Sequence, residues 1–323
     1  SYVELDGSIG VIGNGAGQYG NLDGGTGTNT LNMSDYSTSR NFYLSGLGSA
    51  VGYNGMEKAL DGEFRNINAI TGGKTIDSIN GANLVTDWHL NGTNSGINMS
   101  GKAVLSFNSV ETLNGGAVED RFKLFNGAYF DGNIDGRGGI DTLDYSSLTA
   151  GIEVDMMSGL ASMSAAGITG IDNVRGGSGN DIIKGNDKSN LIEGGPGNDS
   201  LYGEGGNDIL DGGAGNDGLY GGSGNDTLIT GSGHNIVSGG TGIDKAIVAY
   251  QSTYSSPAGD IDLWTFLQPK PPIPGGGGGG EELPPEEIVV DVESKVGSNV
   301  DIPGGKIVIP PQVLPADVTL TVR

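Results

Sequence analysis

Between Gly176 and Ile247 a nine-residue phrase is repeated eight times in unbroken register: GGSGNDIIK, GNDKSNLIE, GGPGNDSLY, GEGGNDILD, GGAGNDGLY, GGSGNDTLI, TGSGHNIVS and GGTGIDKAI. Five follow the pattern G-G-x-G-x-D-x-U-x closely; in the fourth phrase Glu204 replaces the second glycine. Position eight is apolar in every phrase: Ile183, Ile192, Leu201, Leu210, Leu219, Leu228, Val237 and Ala246. An apolar residue between polar ones reads as a very short strand with one inward side chain. One such residue cannot make a core alone, so the phrases must stack and share one. The expected product is a solenoid. Glycine at positions one, two and four is expected to permit positive φ, so that the chain turns tightly with carbonyls directed inward. Aspartate at position six adds a carboxylate beside those carbonyls.

Composition sharpens this reading. Glycine supplies 63 of 323 residues, and without a period that would suggest disorder. The formal net charge is −23, a surface that repels nucleic acid and anionic membranes and can recruit divalent cations. Acidity alone often serves solubility, but here the aspartates are phased. There is no cysteine, so neither a disulfide framework nor thiol catalysis is available. No apolar run approaches the roughly 20 residues needed to span a bilayer. No signal peptide is present at the start, and the first residue is Ser1.

The nonapeptides resemble the calcium-binding repeats of the RTX, or haemolysin-type, family. The resemblance implies a parallel β-roll over residues 176–250. In the family two nonapeptides make one 18-residue coil, and each calcium sits between turns two repeats apart. Carried over, this gives two ladders: Asp181, Asp199, Asp217 and Asn235; and Asn190, Asp208, Asp226 and Asp244. Steps 181/199, 199/217, 208/226 and 226/244 would be about four strong calcium sites. Steps 190/208 and 217/235 place a neutral amide beside one carboxylate and would be weaker. Asp141 occupies position six of GRGGIDTLD without a neighbouring phrase at nine-residue spacing, a further weaker candidate.

Residues 1–175 contain a longer repeat. LDGGTGTNTLNMS (22–34) matches IDGRGGIDTLDYS (134–146) without a gap, about 110 residues apart. FRNINAITGG (64–73) corresponds to IDNVRGG (171–177), and YVELDGSIG (2–10) resembles RFKLFNGAYFDG (121–132). Short alternating runs such as NFYLSGL, DWHLNG, AVLSFNSV and GIEVDMMSG read as strands between turn residues. Only GYNGMEKALDGEF (52–64) offers a helical turn. The fold class expected is all-β: a right-handed parallel β-solenoid over 1–175, leading into the calcium-binding parallel β-roll. Residues 251–268 read as an end cap or transition, and 269–287 (PKPPIPGGGGGGEELPPEE) as a solvated linker. Residues 288–323 read as a partial β-sandwich-like module. The unit with IDGRGGIDTLDYS and NVRGG also resembles repeat units of giant bacterial surface adhesins of the haemagglutinin-like, β-strand-repeat type. On that likeness the chain would be a piece of a longer array.

No catalytic constellation emerges. His89 and His234 are the only histidines, which excludes H-E-x-x-H, and no convincing nucleophile elbow occurs. Trp88, Tyr129 and Trp264 could stack on sugars, although isolated aromatics more often pack a core or edge. The expectation is no enzyme. Calcium is the expected ligand, with surface glycans or other copies of the chain as further partners and no nucleic acid or membrane span. The location implied is secreted or extracellular cell surface. The competing reading is the non-catalytic portion of an exported polysaccharide lyase or epimerase.

Overall fold

The computed structural model describes residues 21–249 except 50, 51 and 61, together with Ile261 and eight strand segments toward the two ends. Contacts divide the chain into two units: Ser1–Leu148 with Glu153–Arg175, and Thr149–Ile152 with Gly176–Arg323. Among the described residues the only helical element is the 3-10 turn Lys58–Leu60, and no helix is long and apolar enough to cross a membrane.

In the first unit the chain alternates between two ladders of strands. One runs through Asn21–Asp23, Gly62–Ile67, Tyr53–Glu57, Asn41–Leu47, Ser78–Asn80, Thr112–Asn114, Ile134–Asp135 and Ile168–Thr169. The other runs through Thr30–Asn32, Ala69–Thr71, Ala103–Asn108, Ser95–Ser100, Thr86–Gly92, Asp120–Leu124, Thr142–Asp144 and Asn173–Arg175. Most neighbours are parallel, but each ladder contains one antiparallel strand, Tyr53–Glu57 or Ser95–Ser100. The wholly parallel solenoid expected for this region is thereby corrected. For Ser95–Ser100 the cause is local: Thr93–Asn94 and Gly101–Lys102 are two-residue hairpin connections, with Asn94 at φ +50° and Gly101 at φ +59°. The segment read as a helical turn supplies the strand Tyr53–Glu57 before its 3-10 turn.

Alternation places Phe42, Ile79, Leu113 and Ile134 inside from one ladder and Leu105, Trp88, Phe122 and Leu143 inside from the other, each fully buried. Trp88 stacks on Phe122 with ring centroids 5.7 Å apart and meets Phe107 edge-on at 6.0 Å. It is a core residue, not a sugar platform. His89, on the outer side of the same strand, lies 5.4 Å from Phe125. Tyr129 is half exposed, and the Trp264 side chain lies outside the described residues.

In the second unit the nonapeptides form two strictly parallel ladders. Ile182–Lys184, Ser200–Gly205, Gly218–Ser223 and His234–Thr241 make one; Leu191–Pro196, Ile209–Ala214, Thr227–Ile229 and Lys245–Val248 make the other. Each phrase pairs with the phrase two further on, so Ile183 faces Leu201, then Leu219, then Val237. On the opposite side Ile192, Leu210, Leu228 and Ala246 follow one another. All eight are fully buried. This is the two-repeat coil of a β-roll, with like residues in register. Outside, Tyr202 stacks on Tyr220 at 4.8 Å. Thr253–Ser255 and Leu263–Gln268 extend the two ladders by one more coil. Residues 269–285 of the linker lie outside the described residues. Glu286 and Glu287 belong instead to the strand Glu286–Ser294, antiparallel to Leu263–Gln268 and to Val318–Val322. Asn299–Ile302 and Gly305–Val308 form a hairpin.

Candidate metal centre

The turns between the short strands gather the six phased aspartates. Asp181, Asp199, Asp208, Asp217, Asp226 and Asp244 are each 1–2 % exposed, and so are Asn190 and Asn235 nearly so, at 3 % and 0 %. Down each ladder one oxygen reaches back to the previous coil. The Oδ1 of Asp199 accepts the Asp181 N–H at 2.8 Å, Asp217 that of Asp199 at 2.9 Å, and Asn235 that of Asp217 at 2.8 Å. In the second ladder Asp208, Asp226 and Asp244 accept from Asn190, Asp208 and Asp226 at 2.8–2.9 Å. Position six therefore closes the coil spacing as well as lining the turn.

A second ladder, which the sequence reading left unassigned, runs the other way at position five. The Oδ1 of Asn180, Asn198, Asn207, Asn216 and Asn225 each accepts an N–H from the following coil at 2.8–2.9 Å. Its signal was the recurrent Asn-Asp pair. His234 takes position five of its phrase and donates its backbone N–H to Asn216.

The other carboxylate oxygen carries the chemistry. The Oδ2 atoms of Asp199, Asp208, Asp217 and Asp226 are buried and have no hydrogen-bond partner among the described residues. An uncompensated buried carboxylate is costly, so these oxygens require a proton or a cation. Each faces the glycine at position one of its own phrase. A β-carbon on Gly194, Gly203, Gly212 or Gly221 would come within 3.0 Å of that Oδ2 and of the position-one carbonyl oxygen one coil further on. None of these four glycines has a positive φ. Position one is thus glycine for space, which corrects the conformational reason expected from sequence.

Positive φ belongs to positions two and four. Gly195, Gly213 and Gly222 at position two, and Gly197, Gly206, Gly215 and Gly224 at position four, lie between φ +88° and +148°. In the fourth phrase Gly206 is at position four, and Glu204 at position two is itself held at φ +72°. Such a backbone costs a non-glycine residue on the order of 1 kcal/mol, and the stacked neighbours impose it. In these open turns the position-two N–H makes no hydrogen bond to the position-six Oδ2.

Asp181 and Asn190 sit in closed turns. Asp181 Oδ2 accepts the Gly177 N–H at 2.8 Å and its Oδ1 accepts the Ile152 N–H at 2.9 Å. Asn190 Oδ1 accepts the Asn186 N–H at 2.9 Å. In the second phrase the change that accompanies closure is at position four, where Lys188 replaces the glycine. In the first it is the neighbour: a β-carbon on Gly179 would collide with Ala150 and Gly151. Asp181 therefore departs from the equivalence expected among the six.

The same turn recurs in the first unit at irregular spacing, where the sequence reading missed Asp77 and Asp120. Both are fully buried, and their Oδ2 atoms accept from Gly73 and, at 2.6 Å, from Gly116: closed turns with Thr75 and Val118 at position four. GGKTIDSIN and GGAVEDRFK carried the signal. Asp141 is different. Arg137 at position two has φ +67° and Gly139 at position four φ +120°, and Asp141 Oδ2 is buried without a hydrogen-bond partner. Glycine at position four marks every open turn, with Gly179 the one exception.

Burial is the largest influence on these carboxyls. It raises Asp208 to about 7 and Asp199 and Asp217 to about 6 from 3.8, against the lowering effect of the N–H bonds and with help from adjacent carboxylates. In chelator, the folded roll binds protons that the unfolded chain has already released between about pH 4 and pH 7. Metal-free stability is therefore fullest below that window and falls as pH rises through it. Circular dichroism in chelator should show more β-structure at about pH 5 than at about pH 7.5, a dependence that calcium removes. A flat profile in chelator would contradict the enclosure of these groups.

Among the described residues no three Asp, Glu or His side chains converge as a metal cluster; what each open turn brings together is an aspartate Oδ2 and a backbone carbonyl oxygen. That set is all hard oxygen, which suits calcium and not the nitrogen- and sulfur-seeking metals. Three segments, 167–187, 185–219 and 219–246, match the family model described as RTX calcium-binding nonapeptide repeat (4 copies). Residues 167–246 carry RTX repeats. Calcium is thus the ion these turns imply. No curated protein is similar to the chain in sequence.

Proposed function

We propose that the open turns of the RTX roll bind calcium through Asp199, Asp208, Asp217 and Asp226, and that the ions lock an exported structural segment of a bacterial cell-surface protein. The observation that supports this reading is the recurrence, coil after coil, of a buried Oδ2 without a hydrogen-bond partner, facing a glycine and a carbonyl oxygen. Calcium supplies the positive charge those oxygens lack and ties adjacent coils together. Asp244 belongs to the same ladder, with Gly240 at φ +100° and Gly242 at φ +139°. The closed turns of Asp181 and Asn190 lie outside the set, and Asn235 supplies an amide in place of a carboxylate. About four ions is the resulting count.

Affinity in the range of extracellular calcium modules, roughly 0.1–1 mM, would leave the roll empty at low cytosolic calcium and filled outside the cell. The reading gives the roll a secretion-compatible folding step and then a rigid, non-catalytic role. Direct calcium counting on the full chain tests it. Asp208→Asn is expected to remove about one equivalent and to weaken the remaining sites on its ladder, whereas Asp181→Asn leaves the count intact. Equal losses from both variants would overturn the division into open and closed turns.

A further inference from the structure

We infer that the first unit holds a calcium-type cation site of its own at Asp141, outside the nonapeptide block, completed by the Gly170 carbonyl and flanked by Asp135. This inference rests on the oxygen chemistry read for the roll. Its independent support is a comparison of the two copies of the long repeat.

In the first copy the turn is plugged by amides. Asn29 occupies position six in an open turn, with Gly25 at φ +65° and Gly27 at φ +96°. Its Nδ2 donates to the Asn66 carbonyl at 3.0 Å and, more weakly, to the Gly27 carbonyl at 3.5 Å. Asn66, at φ +55°, donates its own Nδ2 to Asp23 Oδ1 at 2.7 Å. Asn68 Oδ1 accepts the Asn29 N–H at 3.0 Å. Two amide groups thus supply N–H to oxygens that point into the turn.

The second copy keeps this frame and changes the polar atoms. Asp141 stands for Asn29, Gly170 for Asn66 and Asp172 for Asn68. Gly170 keeps the backbone at φ +64°, and Asp172 Oδ2 accepts the Asp141 N–H at 3.0 Å, as Asn68 does for Asn29. Asp135 Oδ1 accepts the Arg137 N–H at 3.0 Å, as Asp23 accepts that of Gly25 at 2.9 Å. Both plugging amides are gone. A β-carbon on Gly136 would come within 3.0 Å of Asp141 Oδ2 and the Gly170 oxygen, the same pair of oxygens found in the roll. A β-carbon on Gly170, where the Asn66 side chain begins in the other copy, would lie 2.8 Å from Asp135 Oδ1. Asp141 is fully buried, and its Oδ2 has no hydrogen-bond partner among the described residues. The Arg137 guanidinium is directed to Asn80 Oδ1. Two carboxylates and a carbonyl stand where two amides stood, and a hard divalent cation is the group that satisfies them.

The test is calcium counting by equilibrium dialysis on the full chain, with calcium as the only metal. Asp141→Asn is expected to bind one equivalent fewer than the wild type. Should that variant fold poorly, the double variant Asp141→Asn/Gly170→Asn restores both plugging amides; it is expected to fold, to bind one equivalent fewer and to gain resistance to proteolysis in chelator across residues 134–175. Asp120→Asn, at a closed turn, retains the wild-type count. An unchanged count in both Asp141 variants overturns this site while leaving the roll intact. A wild type that binds no calcium at all overturns the roll and this site together.

Discussion

Chelating calcium from the full chain at about pH 7.5 is expected to unfold residues 194–247, and returning roughly 1 mM calcium to refold them. The physical ground is the imbalance in each phrase. One apolar side chain is buried for every nine residues ordered, while each open turn adds an enclosed carboxylate with no counter-charge. At that pH Asp199, Asp208 and Asp217 are largely ionised in the folded state, since burial raises them only to about 6 or 7. Repulsion then adds to desolvation along both ladders. Far-UV circular dichroism should lose and regain amplitude, and limited proteolysis in chelator should cut within the roll. The first unit has an aromatic core about Trp88, Phe107 and Phe122, and its closed turns at Asp77 and Asp120 carry their own N–H donors. Its strands before Ile134 should stay protected under the same treatment. A spectrum indifferent to the titration would sink the calcium-locked roll.

Replacing Gly221 by alanine is expected to damage calcium binding and stability together, without any demand on a positive φ. The new methyl would fall on Asp226 Oδ2 and on the Gly239 carbonyl, the two oxygens that face each other across coils. Either the carboxylate swings out, which forfeits the ion, or the coils separate, which breaks the register of Leu228 with Leu210 and Ala246. Calcium affinity on that ladder should fall on the order of 10- to 100-fold, with a stability loss of about 2–4 kcal/mol in saturating calcium. Gly218→Ala, at the start of the same strand, is the matched control. There the methyl meets the edge of the Tyr220 ring, a side chain that can give, so calcium affinity should hold. Calorimetric titration and thermal melts of the two variants decide between loss of space and loss of flexibility as the reason for glycine at position one. Equal behaviour of the pair would show that position one has no special steric role.

Much of the roll was legible because period and chemistry coincide. A nine-residue phrase with one apolar residue dictates the buried column from Ile183 to Ala246, and two phrases per coil follow from the opposed ladders. The first unit was harder to read for a physical reason. Its coils vary in length, so the ladder step from Asp120 to Asp141 to Asp172 has no fixed spacing, yet the N–H to carboxylate bond between successive coils is kept. Hairpins at Thr93–Asn94 and Gly101–Lys102 reverse the chain without any break in strand alternation, and alternation is blind to direction. Asp77 and Asp120 escaped notice because their phrases lack the position-four glycine by which the repeat is recognised.

By itself the sequence determined which residues turn inward, that the aspartates come in phase, and that the metal they suit is a hard one. Those properties depend on residue type and period, which a linear text records. Only the tertiary structure decided which carboxylates are left wanting a cation. Asp181 and Asp199 lie in phrases of the same pattern, GGSGND and GGPGND, yet one is capped by Gly177 and Ile152 and the other keeps a bare Oδ2. The difference comes from what each turn is stacked against, because a neighbouring coil fixes the sign of φ at position two and so the direction of one N–H.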